Sequence, residues 1–225
     1  MADFEIETRE NVRFVRAVLR DEAIQAEAGA LAYMRGAVSM SASIPGPLTV
    51  LRASLSAQAA VRPTFRGTGD VYLEPTLGGY YAFQVNEKPW ILDRGAYWAS
   101  EASVSVQVYR EKIMNALWTG AGFIDFHTMV SGKGKVVLNA PGPVEEIDLG
   151  DEELAVEGRA VIARSSRVAF SIRRPSRGFL SSWISGEKIL RVYRGPGRIL
   201  LAQTPYWSEL LLQTTRDVRT WAKPH

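Results

Sequence analysis

Apolar and polar residues alternate with a period of two through much of the chain. Val104, Val106 and Val108 form one such run, Val168, Phe170 and Ile172 another, and Val38 with Met40 stand in a corresponding earlier place. That period puts the apolar set on one face of a strand. Val71 and Leu73 share a face in the same way, whereas Val136-Val137-Leu138 and Ile199-Leu200-Leu201 are apolar on both faces. A strand apolar on both faces is covered on both. Ile44-Pro45-Gly46-Pro47, Pro141-Gly142-Pro143 and Gly195-Pro196-Gly197 mark turns. Short strands separated by such turns predict an all-β protein. The exception is the tail, where Trp207, Leu211, Thr214, Val218 and Trp221 recur at a helical period after Thr204 and Pro205. This predicts one amphipathic helix over 205–225, packed on the sheets.

One pattern occurs three times. Gly67-Thr-Gly69-Asp-Val71-Tyr-Leu73 matches Gly132-Lys-Gly134-Lys-Val136-Val-Leu138 and Gly195-Pro-Gly197-Arg-Ile199-Leu-Leu201, at spacings of 65 and 63 residues. Gly29-Ala30-Leu31 and Gly95-Ala96-Tyr97 form a second landmark, 66 residues apart. The pattern predicts a pseudo-threefold repeat within one β domain over 1–204, with copies near 10–73, 74–138 and 139–201. Glycine at the Gly-x-Gly positions suits positive φ or close backbone approach, which predicts a tight turn before each strand.

Of the 225 residues 46% are apolar and 23% charged, ordinary for a globular protein. This composition excludes a disordered chain, a collagen and a multi-span membrane protein. The absence of cysteine removes disulfides, thiolate metal sites and a thiol nucleophile. The acidic opening, Met1 to Glu10, fits neither a secretory signal nor a transit peptide, and a cytoplasmic location is expected. Charge is uneven. Residues 145–157 hold seven acids and no base, whereas 159–198 hold ten bases and one acid, Glu187. Either the acids partner the arginines across neighbouring strands, or the arginines form a surface for phosphate, nucleic acid or acidic lipid.

Catalytic chemistry finds little support. The histidines are His127 and the terminal His225, too few for a cupin-type metal cluster, and neither a metal nor a cofactor is expected. Asp125 and His127 share a strand face, so a carboxylate-oriented base is conceivable, but no Gly-x-Ser-x-Gly elbow supplies a nucleophile. Ser131-Gly132-Lys133-Gly134-Lys135 lacks the spacing of a phosphate loop. Glu145-Glu146 and Glu152-Glu153 are sequence neighbours that point to opposite faces of a strand. The remaining candidate is the arginine group Arg164, Arg167, Arg173, Arg174, Arg177, Arg191, Arg194 and Arg198, with Phe179, Trp183 and Tyr193 nearby as stacking aromatics. Protection of a sheet edge is the competing explanation for these cations.

Glu27-Ala-Gly29-Ala30-Leu31-Ala-Tyr33-Met34-Arg-Gly36, the three Gly-x-Gly segments, Gly186-Glu187-Lys-Ile189 and Leu201-Ala-Gln203-Thr204 resemble, in order and spacing, the family named for altered inheritance of mitochondria, protein twenty-four. The first repeat departs from it, with Ser56-Ala57-Gln58 where a Gly-Glu step belongs. The resemblance implies a fold like that of the tryptophan RNA-binding attenuation protein, a short double-stranded β-helix or jelly-roll-like arrangement, and a tendency to self-assemble. It carries no catalytic residues. The expectation is therefore a non-enzymatic structural or interaction protein that forms a homo-oligomer, a trimer or ring, and can take a protein partner. The alternative is an RNA or anion binder that uses the arginines.

Overall fold

The structure is a computed structural model that describes residues 2–10, 12–42, 62–76, 78–113, 123–157, 160–173 and 190–202. Its regular elements are strands: β1 (Asp3–Arg9), β2 (Val12–Ala26), β3 (Leu31–Ala42), β4 (Pro63–Thr76), β5 (Gly79–Asn86), β6 (Trp90–Leu92), β7 (Tyr97–Glu101), β8 (Val104–Ile113), β9 (Phe123–Ala140), β10 (Val144–Asp148), β11 (Glu153–Glu157), β12 (Val161–Ser165), β13 (Ala169–Arg173), β14 (Leu190–Arg194) and β15 (Arg198–Ala202). Every pairing is antiparallel. The alternating runs around Val38, Val104 and Phe170 lie in β3, β8 and β13. The tail expected to be helical, together with Arg174 and Arg177, lies outside the described residues.

The pairings recur in one order. β4 lies between β2 and β3. β9 lies between β5 and β6 on one side and β7 and β8 on the other. β15 lies between β10 and β12, and β14 between β11 and β13. Two seams join these sets edge to edge. At the first, β2 meets β7 with Gln25 opposite Ser100; at the second, β6 meets β12 with Ile91 opposite Arg164. The result is a path β10-β15-β12-β6-β9-β7-β2-β4-β3 in a twelve-stranded sheet, with a separate three-stranded sheet β11-β14-β13.

The Gly-x-Gly segments correct the expectation of a turn before each strand. Gly67 and Gly69 lie within β4 and Gly132 and Gly134 within β9; only Gly195 and Gly197 occupy a turn, between β14 and β15. In β9 the glycines mark a change of partners. Residues 128–130 pair with β6, whereas 133–140 pair with β5. The strand passes there from one set of partners to another, and glycine gives the backbone freedom at the change. Gly67, Gly132 and Gly195 have φ of 137°, 100° and 104°. The second glycine of each segment meets a valine: a Cβ would lie 3.0 Å from Val38 Cγ2 at Gly69, 2.9 Å from Val104 Cγ2 at Gly134 and 2.9 Å from Val168 Cγ2 at Gly197. Arg35 O, Glu101 Oε2 and Ser165 Oγ would lie closer still, at 2.1, 2.7 and 2.1 Å, so each position is crowded from more than one side.

The doubly apolar strands divide their faces between cores. Val137 packs with Val15, Leu19, Ile24, Phe65 and Val71, whereas its neighbours Val136 and Leu138 pack with Val85, Leu92, Val104 and Val130. Leu200 joins that second core, while Ile199 and Leu201 enter a third with Leu149, Val161 and Tyr193. Each such side chain contributes about 1.5–3 kcal/mol on burial.

Candidate functional site

Ionisable side chains converge below the surface at the second seam. The β8–β9 register places Glu111 opposite Asp125 and Tyr109 opposite His127, so strand alternation brings Glu111, Asp125 and His127 to one face. The turn before β7 adds Asp93 and Arg94, and β12 adds Arg164. His127 Nε2 lies 3.4 Å from Glu111 Oε2 and 3.6 Å from Asp125 Oδ2, and Nδ1 lies 3.7 Å from Asp93 Oδ1. Its nitrogens make no hydrogen bond among the described residues. Arg164 is 5% exposed; its guanidinium donates to Glu111 and to the Val168 carbonyl. Arg94 Nη2 donates to Asp125 Oδ1 at 3.3 Å. Burial pushes the nearby Tyr193 hydroxyl up to about 12. The space beside these groups is about 20 Å³, room for about one water.

This arrangement is an ionic joint between β6, β8, β9 and β12. The Asp125 and His127 pairing read from the sequence is present, but Asp93, Glu111 and Arg164 come from elsewhere in the chain and complete it. The first seam has a smaller counterpart. Arg62 Nε lies 3.6 Å from Glu27 Oε2, and its guanidinium sits 5.1 Å from the centre of the Tyr97 ring. Burial pushes the Glu27 carboxyl and the Tyr97 hydroxyl up.

The other predicted arginines are spread over several surroundings. Arg173 and Arg194 both reach Glu153, whose carboxyl is held below its ordinary range first by Arg194 and then by Arg173. Arg198 pairs with Glu146, at 2.5 Å, and lies over the Trp90 ring. Arg191 lies over the Phe170 ring, 5.7 Å from its centre. Arg167 is exposed in the turn before β13. Glu146 and Glu153, two acids of the 145–157 block, thus meet arginines across the β10–β15 and β11–β14 pairings.

A depression of about 450 Å³ is lined by Glu22, Arg66, Gln84, Glu101, Ser103 and Lys133 among others. Part of its polar lining is engaged in the fold: Glu101 Oε2 accepts the Lys135 amide at 2.9 Å, and Ser103 Oγ donates to the Lys133 carbonyl at 2.8 Å.

A different feature stands out at the end of the twelve-stranded path. β3 is 12 residues long, and β4 is its one partner among the described residues. Nearly all of it is exposed, including Tyr33 at 48%, Met34 at 41% and Met40 at 51%. Tyr33 stacks on Tyr72 with ring centres 4.3 Å apart, and the two line a shallow groove with Phe14, Leu73 and Pro75. The sequence signals this strand by alternation, but its role as an edge depends on pairings distant in the chain.

No helix among the described residues is long and apolar enough to cross a membrane. The chain is similar to known proteins in both sequence and fold. The sequence profile of the family described as Mitochondrial biogenesis AIM24 matches residues 4–204. An uncharacterized protein of Streptococcus pyogenes serotype M6 is 29% identical over 136 residues, 60% of this chain and 54% of that protein, so the chain spans about half the length of the curated relative it matches. An X-ray crystal structure of a Streptococcus pyogenes protein from a structural genomics programme superposes with a TM-score of 0.69 at 20% identity, covering 98% of this chain and 100% of that one.

Proposed function

The chain belongs to the AIM24 family, and from that premise we propose that it is a non-enzymatic scaffold that self-assembles through the open edge of β3. The observation that carries this reading is the length and exposure of that edge, with Tyr33, Met34 and Met40 uncovered along it. Among the described residues one side of β3 is free, and such a side presents unpaired N–H and C=O groups and templates another strand. Edges kept solitary are usually short, bulged or guarded by charge; β3 shifts register once, between Leu31 and Tyr33, and its sole ionisable cation is Arg35.

The same reading takes the chain as three copies of one three-strand unit, of the double-stranded β-helix kind. The recurring pairing order and the valines set against Gly69, Gly134 and Gly197 support it. The non-enzymatic part of this proposal draws on site chemistry. The space beside His127 admits about one water rather than an organic substrate, and its ionisable groups face one another. Anion or RNA binding through the arginines is the weaker alternative, because phosphate would have to displace Glu153 from Arg173 and Arg194 and Glu146 from Arg198.

Light scattering on the purified protein at micromolar concentration tests the assembly. The expected result is an oligomer, with a trimeric ring as the expected closed form. A monomer at that concentration rejects the proposal.

A further inference from the structure

The first seam shelters a buried carboxylate with an unused oxygen. Glu101, the last residue of β7, is 5% exposed. Its Oε2 accepts the Lys135 amide at 2.9 Å. Gly134 leaves room for this carboxylate, because a Cβ there would lie 2.7 Å from Oε2. Among the described residues Oε1 takes part in no hydrogen bond or ion pair. A carboxylate withdrawn from water calls for donors at both oxygens. Glu101 lines the depression of about 450 Å³, so a molecule held there can supply the missing donor.

Two cations line the same depression. Arg66 in β4 and Lys133 in β9 are exposed, and neither side chain has a carboxylate within ion-pair distance among the described residues. They differ in this from Arg173, Arg194 and Arg198, each of which already holds an acid. The neighbouring charges are spent: Lys135 is tied to Asp3 at 2.7 Å, and Glu22 accepts the Arg20 amide at 3.1 Å. Ala2, Ala23 and Ala102 complete the lining with small apolar side chains that leave the space open. Its volume falls within the range of about 300–1,000 Å³ usual for small-molecule sites.

We propose that this depression binds a small zwitterion, a molecule with an ammonium and a carboxylate joined by a short chain, of which amino acids are the simplest class. The ammonium donates to Glu101 Oε1, and the carboxylate lies on Arg66 and Lys133. A guanidinium offers a planar fork that matches a carboxylate, and a lysine ammonium adds a point charge. A simple anion would answer the two cations but set like charge against Glu101. A simple cation would answer Glu101 and leave Arg66 and Lys133 without a partner. Only a ligand with both charges satisfies all three groups. None of these residues lies in β3, so the site is independent of the assembly proposed above.

The probes are glycine, β-alanine, γ-aminobutyrate and diglycine, which step the separation of the two charges. Acetate and methylamine are the single-charge controls. Each is titrated to about 20 mM, at constant ionic strength, into the isotope-labelled full chain while the amides of Ala23, Ala102 and Gly134 are followed by NMR. The expected result is saturable shifts at these amides with at least one zwitterion, at a Kd roughly tenfold or more below that of either control. Arg66→Ser/Lys133→Ser changes exposed positions and should keep the native spectrum while losing the binding. Glu101→Gln should weaken the zwitterion roughly tenfold without weakening acetate; if that variant does not fold, the double variant decides. No saturable shift from any zwitterion overturns the proposal. So does acetate that binds as tightly as the best zwitterion, or zwitterion binding that survives unchanged in Arg66→Ser/Lys133→Ser.

Discussion

Ser165 and Val168 together occupy the space that a side chain on Gly197 would need: a Cβ there would sit 2.1 Å from Ser165 Oγ and 2.9 Å from Val168 Cγ2. The serine oxygen accepts the Arg198 amide at 3.1 Å, so pushing it aside also loosens the start of β15. Gly197→Ala should cost about 1–3 kcal/mol, the usual range for overpacking. Urea denaturation monitored by tryptophan fluorescence measures this. An unchanged midpoint would mean that the turn has slack.

The joint around His127 makes a second prediction. Arg164 and Glu111 have side chains 7% and 13% exposed. Removing one partner leaves the other's charge buried, at a cost of about 3–5 kcal/mol, whereas replacing both with apolar groups is far milder. Arg164→Met should therefore lower the denaturation midpoint strongly, and Arg164→Met/Glu111→Leu should recover most of the loss. Two additive losses would show that the pair does not act as a unit.

Glu27 gives the third, and its sign follows from its surroundings. Burial raises its carboxyl above the ordinary glutamate range, outweighing the opposing pull of Arg62. The folded state thus holds this proton more tightly than the unfolded chain. Its contribution is favourable below the unfolded value and is lost as pH rises through the folded one. Glu27→Gln should raise Tm relative to the unmodified protein at pH 7 by more than at pH 4, in paired calorimetric scans. The opposite trend would mean that the Arg62 contact dominates.

Edge chemistry gives the fourth. Lysines at exposed edge positions oppose strand addition. Met34→Lys/Met40→Lys leaves the Tyr33–Tyr72 stack in place and should convert the oligomer to monomer by light scattering, with Tm changed little. An oligomer that survives both lysines would place the contact on another surface.

Much of this architecture is legible in the sequence because strand alternation needs no distant information. Val104, Val106 and Val108 announce β8, and Val168, Phe170 and Ile172 announce β13. The glycines were harder to read. A glycine needed for a turn and one needed for a crowded bend look alike, and only the partner change within β9 separates them. The arginines and the acids of 145–157 form separate blocks along the chain and interleave only once β10 meets β15 and β11 meets β14. Asp125 and His127, two residues apart, are visible as a pair. Asp93, Glu111 and Arg164 are not, because each arrives through a different pairing distant in the chain, β6 with β9, β8 with β9 and β12 with β6.

The 18 residues of β9 belong to both halves of the molecule at once, their two ends bonded to different neighbours. The strand acts as a tie-bar. Peeling away β5 tugs on the rod that also anchors β6 and β8, so solvent cannot enter one half without loosening the other. Amide protons on either side of Gly132 should accordingly exchange at matched rates, the signature of a body that opens as a whole.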